Sequence, residues 1–202
     1  MPRVAHFDES PLGLSWTLAE AMQRSSHALV DGGRVWLVDP VDAEGAIDRA
    51  AALGEIAGVI QLLDRHNRDC AALAERFGVP LHKLPDDLPG TPFEVKTIVD
   101  APKWSEKMLW WPERKALVIT EALMTVDDMQ VGDIGVGPHL LLRLLPPKVA
   151  AEHADAQHLL VGHGRPLHAD DAGVRAKQAV EGSRRDLPRF ITRVPRILWG
   201  MR

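Results

Sequence analysis

The strongest constraint in this chain is a recurring pattern. Apolar runs of strand length stop at a glycine, a proline or a knot of charged residues, and some are separated by segments with helical periodicity. His27-Ala28-Leu29-Val30-Asp31 and Arg34-Val35-Trp36-Leu37-Val38 flank Gly32-Gly33 and read as a hairpin. Gly58-Val59-Ile60-Gln61-Leu62-Leu63 has the continuous apolar character of a strand covered on both faces. Residues 43–53 are helical in composition. Residues 69–77 place Ala71, Leu73, Ala74 and Phe77 on one apolar face and end at Gly78, a second helix. Further strands are expected at 79–82, 93–99, 108–111 and 115–120, the last two joined by a Pro112-Glu113-Arg114 turn. Helices are expected at about 137–145 and 148–156, a strand at 157–161 and a final helix at about 169–181. Strands alternating with helices mark an α/β protein. With 202 residues and no repeat or low-complexity linker, they imply one domain over 1–202.

Composition narrows the function. Lys and Arg number 24 against 28 Asp and Glu, a net charge of −4, which argues against a nucleic-acid partner. No apolar run reaches the roughly 18–20 residues of a membrane span. The first residues lack the apolar core of a signal peptide, and the single cysteine, Cys70, suits a reducing compartment. A cytoplasmic protein acting on an unidentified small molecule is the expectation. Charge is uneven, however. Residues 184–202 hold six arginines and one acid, interleaved with Phe190, Ile191, Val194, Ile197, Leu198 and Trp199. This basic, apolar tail is expected to dock on its own domain or on a sister subunit, which leaves a homodimer open. Pro188 and Pro195 argue against a long amphipathic helix there.

Three apolar strands end in polar residues, where α/β proteins usually bind ligands. They run into Asp64-Arg65-His66-Asn67-Arg68-Asp69-Cys70, into Thr120-Glu121 and into Gly162-His163-Gly164. His66, among charged neighbours, is a candidate general acid or base together with Asp69. Cys70 at the start of a helix is either a small buried residue or a thiol of lowered pKa. Trp110 and Trp111 are expected in the core, one on each face of their strand, and Trp104 against the pocket. His6, His82, His139, His153 and His168 read as surface or loop residues, and His158 as a strand residue. Gly132-Asp133-Ile134-Gly135-Val136-Gly137 does not follow a buried strand, so it reads as a loop and not as a dinucleotide fingerprint.

In order and spacing, these segments resemble the metallo-β-lactamase-fold hydrolases. The resemblance spans about residues 25–181. Ser26-His27-Ala28-Leu29-Val30-Asp31 through Val38-Asp39-Pro40 looks like the family's opening strands. Ala71-Ala72-Leu73-Ala74-Glu75-Arg76-Phe77-Gly78-Val79-Pro80 looks like the helix after its metal motif. Pro112-Glu113-Arg114-Lys115-Ala116-Leu117-Val118-Ile119-Thr120-Glu121 is similar to the hairpin ending in its bridging acid, and Gly162-His163-Gly164 to its late metal-ligand loop. The resemblance implies a four-layer αββα sandwich and a hydrolase ancestry. The family's His-x-His-x-Asp-His motif is degenerate here: Arg65 and Asn67 stand for its first two histidines, and Trp104 for the third histidine of that metal position. None of the three is a good zinc ligand.

Two accounts of the site follow from the resemblance. In one, Asp69, Cys70, Glu121 and His163 hold a single divalent ion, zinc or iron, which generates hydroxide for hydrolysis of an ester, thioester, lactone or phosphoester. In the other, the dinuclear zinc centre is lost, no metal binds, and the Arg65 guanidinium fills its place between Asp69 and Glu121. The protein then binds a ligand or partner, or performs non-standard chemistry.

Overall fold

The computed structural model describes residues 1–194, in which β-strands alternate their side chains between two apolar layers. Its elements are β1 (Val4–Ser10), β2 (Gly13–Leu18), β3 (Ser25–Asp31), β4 (Arg34–Val38), α1 (Ala46–Ala51), β5 (Glu55–Gln61), α2 (Cys70–Phe77), β6 (Leu81–Lys83), β7 (Glu94–Ala101), β8 (Trp104–Trp111), β9 (Ala116–Ile119), β10 (Leu123–Met124), β11 (Gly137–Pro138), β12 (His158–Val161), β13 (Leu167–His168) and α3 (Ala172–Ile191). A six-stranded sheet has the order β1-β2-β3-β4-β5-β6, and a five-stranded sheet the order β13-β12-β9-β8-β7.

The period of two sorts each strand between layers. From β4, Val35 and Leu37 join α1 and α2 in an outer cluster with Leu14, Trp16, Ile47, Val59 and Leu73, while Trp36 and Val38 face the other sheet. Leu109, Trp111, Val118 and Leu160 meet them there from the five-stranded sheet. Met108, Trp110, Leu117, Ile119, Leu159 and Val161 face outward onto α3, through Ala172, Ala176, Ala179 and Val180. The result is helix on sheet on sheet on helix, the αββα sandwich expected. Trp110 and Trp111 do lie on opposite faces of β8. Among the described residues, no helix is long and apolar enough to cross a membrane.

Several elements differ from the sequence reading. No α-helix forms at 137–145 or 148–156. Those stretches contain β11 and two short 3-10 turns, Leu140–Leu142 and Lys148–Ala151. Pro138, Pro146 and Pro147 remove amide donors and restrict the residues before them, so the leucine spacing cannot propagate a helix. Arg143 is buried in this segment, its Nη2 donating to the Met129 carbonyl and its guanidinium lying 3.7 Å from the Phe190 ring centroid.

Conversely, α3 continues past 181 and through Pro188 to Ile191. Proline costs one main-chain hydrogen bond, but Phe190 beyond it is anchored among Met124, Val126, Met129 and Val131. The part of the basic tail from 195 onward lies outside the described residues. Strands β1 and β2 are absent from the sequence reading: four of the seven residues of β1 are polar and none of the seven is fully buried, whereas β2 alternates Leu14, Trp16 and Leu18 into the core.

β4, β5 and β6 run parallel, as do β9 and β12. The loops at their carboxyl ends, 39–42, 62–69, 120–122 and 162–164, meet along one edge of the sandwich.

A candidate binding site centred on a buried arginine

The loop after β5 is pinned to the opposite sheet. Lys107 N donates to the Leu62 carbonyl at 2.8 Å, Asp64 N donates to the Ser105 carbonyl at 3.0 Å, and Asp64 Oδ2 accepts from Ser105 N at 2.9 Å. The loop then turns back under the strand ends, with Arg68 in the left-handed region at φ 40°. This conformation aims the Arg68 side chain inward. Nη1 donates to the carbonyls of Ser25 (2.5 Å) and Asp39 (2.7 Å), and Nη2 to that of Gly162 (3.1 Å). One guanidinium therefore ties together the ends of β3, β4 and β12, and its buried Nε has no partner. Burial pulls Arg68 below the usual guanidinium range, opposed by the nearby Asp39 carboxylate. It remains a cation, as arginine does in proteins.

Asp39 is itself held at φ 42° and is 1% exposed. Its Oδ1 accepts from Leu62 N at 3.1 Å, while Oδ2 is unpartnered and stands 3.6 Å from His66 Nδ1, which is also buried without a partner. Two non-glycine residues in the left-handed region and two facing, unsatisfied polar atoms concentrate strain at this point. Burial lowers the His66 pKa, partly offset by Asp39, so the imidazole is neutral near pH 7.

Glu121 faces His66 from the end of β9. Its Oε2 lies 3.9 Å from His66 Nε2 and 3.5 Å from Arg65 Nε, and its Oε1 lies 3.5 Å from His139 Nε2. Arg65 is 43% exposed and lies across Trp104, 4.3 Å from the ring centroid, while His139 meets the same indole edge to face at 4.8 Å. Below them Glu106, fully buried, accepts from Trp104 Nε1 (3.0 Å), Glu121 N (2.8 Å) and Ala122 N (3.0 Å). Its burial pushes its carboxyl up to about 7, against those three hydrogen bonds. His163 packs its ring 5.5 Å from that of His66 and points Nδ1 at the Met22 carbonyl, 2.9 Å away. Burial pulls its pKa down to about 3.

The structure thus gathers Arg65, His66, Trp104 and Glu121, with His163 behind them. It places the other residues singled out from sequence elsewhere. Asn67 is exposed on the loop, 3.5 Å from Gln61 Nε2. Asp69 occupies the N-cap position of α2 and turns its Oδ2 to Asp42 N at 2.8 Å. Cys70 lies in the outer apolar cluster with Leu73 and Trp16, and burial pushes its thiol up to about 12.

Arg65 does not bridge Asp69 and Glu121. It pairs with Glu121 alone, at the surface, and Arg68 is the guanidinium at the centre. Asp69, Cys70, Glu121 and His163 lie in different surroundings: the first two serve α2, Cys70 within an apolar layer, and the Arg68 cation lies among the strand ends. Among the described residues, no three His, Cys, Asp or Glu side chains are grouped to hold an ion.

Asp39, Arg68, Glu106 and His139 were not singled out from sequence as site residues. Glu106, an acid that alternates with Trp104, Met108 and Trp110 on one otherwise apolar face of β8, was the one with a local signal. His139 was read as a surface residue, and only the return of its segment to Trp104 puts it at the site.

No family model and no curated protein matches the sequence. Solved structures do match its fold. The DIM-1 metallo-β-lactamase aligns over 90% of this chain and 99% of its own, with a TM-score of 0.60 at 15% identity. The mono-zinc form of FIM-1 metallo-β-lactamase from Pseudomonas aeruginosa aligns over 90% and 96%, with a TM-score of 0.59 at 13% identity. The B3 metallo-β-lactamase BLEG-1 aligns over 86% and 96%, with a TM-score of 0.55 at 14% identity. At these identities the likeness shows the fold alone.

Proposed function

From a chain with the metallo-β-lactamase fold, we propose a protein that has exchanged the dinuclear zinc centre for a metal-free, arginine-centred site that binds a small polar molecule. The observation that carries this reading is the Arg68 guanidinium, which donates to the main chain of Ser25, Asp39 and Gly162. A fixed cation there supplies the charge that would otherwise be needed to draw these loops together, and it repels a second cation at close range.

The exposed face above it can recognise a ligand. Arg65 offers a guanidinium to an acidic group, Glu121 accepts from a hydrogen-bond donor, and Trp104 and His139 wall one side. His66, neutral and backed by the unpartnered Oδ2 of Asp39, is the group able to accept a proton from a bound molecule. A water or a small contraction between Asp39 and His66 would complete that pair. Asp69, by contrast, supports α2 and takes no part in the chemistry.

The test is elemental analysis of tag-free protein, before and after zinc or iron loading, alongside ligand screening by NMR on the Trp104 indole N–H. The reading expects no ion that depends on the site residues. It also expects small carboxylates or phosphates to shift the Trp104 signal in the parent and not in Arg65→Met. A tightly held ion lost in both Glu121→Gln and His163→Ala would overturn it and favour a mononuclear hydrolase.

A further inference from the structure

At the other end of β12 from Arg68, a cross-strand histidine pair stands apart from the site described above. His158, the first residue of β12, lies directly opposite His168 of β13 in the antiparallel register. Their Nδ1 atoms are 2.8 Å apart. His168 Nε2 lies 3.1 Å from Asp8 Oδ1, and Asp8 Oδ2 is 3.5 Å from Arg165 Nη2. We propose that His158 and His168 form a two-histidine binding site for a divalent transition metal, with Asp8 as the carboxylate that orients His168.

The positions of the ring protons decide which nitrogens can bind an ion. A carboxylate accepts only, so His168 donates its Nε2–H to Asp8, and its Nδ1 carries the lone pair. A carboxylate behind a histidine is the usual device for presenting the other ring nitrogen to a metal. In the metal-free protein His158 Nδ1–H donates to that lone pair. A metal ion replaces the shared proton when the His158 proton moves, through solvent, to Nε2. Both imidazoles stay neutral and no net proton is lost.

The spacing also selects the class of ion. With metal–nitrogen bonds of about 2.0–2.1 Å, two nitrogens 2.8 Å apart subtend about 85–90° at the metal. That angle suits the tetragonal coordination of Cu(II) or Ni(II), with water in the remaining positions, better than the wider angle of tetrahedral zinc. Among the buried imidazoles, His27 is committed to Ser15 Oγ and the Val161 carbonyl, and His163 Nδ1 to the Met22 carbonyl. Because Asp8 belongs to β1 and His168 to β13, the ion would couple edge strands of the two sheets.

The experiment is Ni2+ calorimetry and Cu2+ electron paramagnetic resonance on the tag-free full chain. One equivalent of each ion is expected, with a copper signal showing two imidazole nitrogens. Asp8→Asn should weaken Ni2+ binding about tenfold, and His158→Gln and His168→Gln should each weaken it more. His153→Gln should change nothing. Ni2+ at a hundred times its Kd should raise the melting temperature by about 5–10 °C in the parent alone. Unchanged affinity in the His158 and His168 variants, or a copper signal with one nitrogen, would overturn the proposal and leave adventitious binding at other histidines.

Discussion

Replacing Arg68 by methionine tests the centre of the site most directly. Methionine fills much of the arginine volume and removes every donor. Three carbonyls, those of Ser25, Asp39 and Gly162, would each lose a donor, although that of Asp39 keeps Ser26 Oγ and that of Gly162 keeps Ser25 N, and the Asp39 carboxylate would lose a nearby cation. A stranded buried acceptor costs about 1–3 kcal/mol, with some relief where water enters. Breaking one side of a buried charged network typically costs about 3–5 kcal/mol, and that range is the expectation here. For a chain of this size it lowers the melting temperature by about 10–15 °C.

Arg65→Met is the matched control. Its side chain is 43% exposed and 3.5 Å from Glu121, so it should cost less than about 1 kcal/mol. Urea unfolding of both variants, at constant m-value, gives the comparison. Arg68→Lys should fall between them, since one ammonium cannot span the three carbonyls. A cost under about 1 kcal/mol for Arg68→Met, or a larger loss in Arg65→Met, would mean that Arg68 is not the central tie.

Three other outcomes are expected. Glu106 holds its proton up to about pH 7 in the fold but releases it near the ordinary carboxylate value when unfolded. Stability should therefore fall as pH rises between those values, by on the order of 3 kcal/mol, and level off above; urea titrations of Glu106→Gln should lose that slope, and an unchanged slope would count against Glu106 as its source. Cys70 should resist Ellman's reagent in the native protein and react only on unfolding, because its thiol is buried and pushed up to about 12; rapid native-state labelling would contradict its placement. Gly162→Ala should cost at least about 2 kcal/mol by thermal melt, since a Cβ there would stand 2.3 Å from the Thr120 carbonyl oxygen; a neutral result would mean that the two strand ends are farther apart.

The elements β3, β4 and α2 were legible because their signal is local. Trp36 and Val38 alternate with Val35 and Leu37, and Gly78 closes the periodic run of α2 at φ 64° in the left-handed region. Failure came where local preference met a tertiary constraint. The leucines at 140–145 have a helical spacing that flanking prolines defeat, and α3 survives Pro188 because Phe190 is held in a distant cluster. The site was half legible for the same reason. A polar loop after a buried strand marks a place, so Arg65, His66 and Glu121 were found together, but it does not say which way each side chain turns.

Sequence by itself determined an α/β chain of alternating strands and helices and the strand ends at which polar loops collect; the resemblance to a known fold supplied the αββα layering. The elements and the polar loops depend on composition and period, which are written along the chain. The tertiary structure alone decided that Arg68 and not Arg65 is central, that Asp69 and Cys70 belong to α2, and that His139 returns to Trp104. Each of these turns on one residue's backbone angle or on contacts across tens of residues. At φ 40° Arg68 points into the strand ends; three positions earlier, an arginine of identical chemistry lies across an indole at the surface.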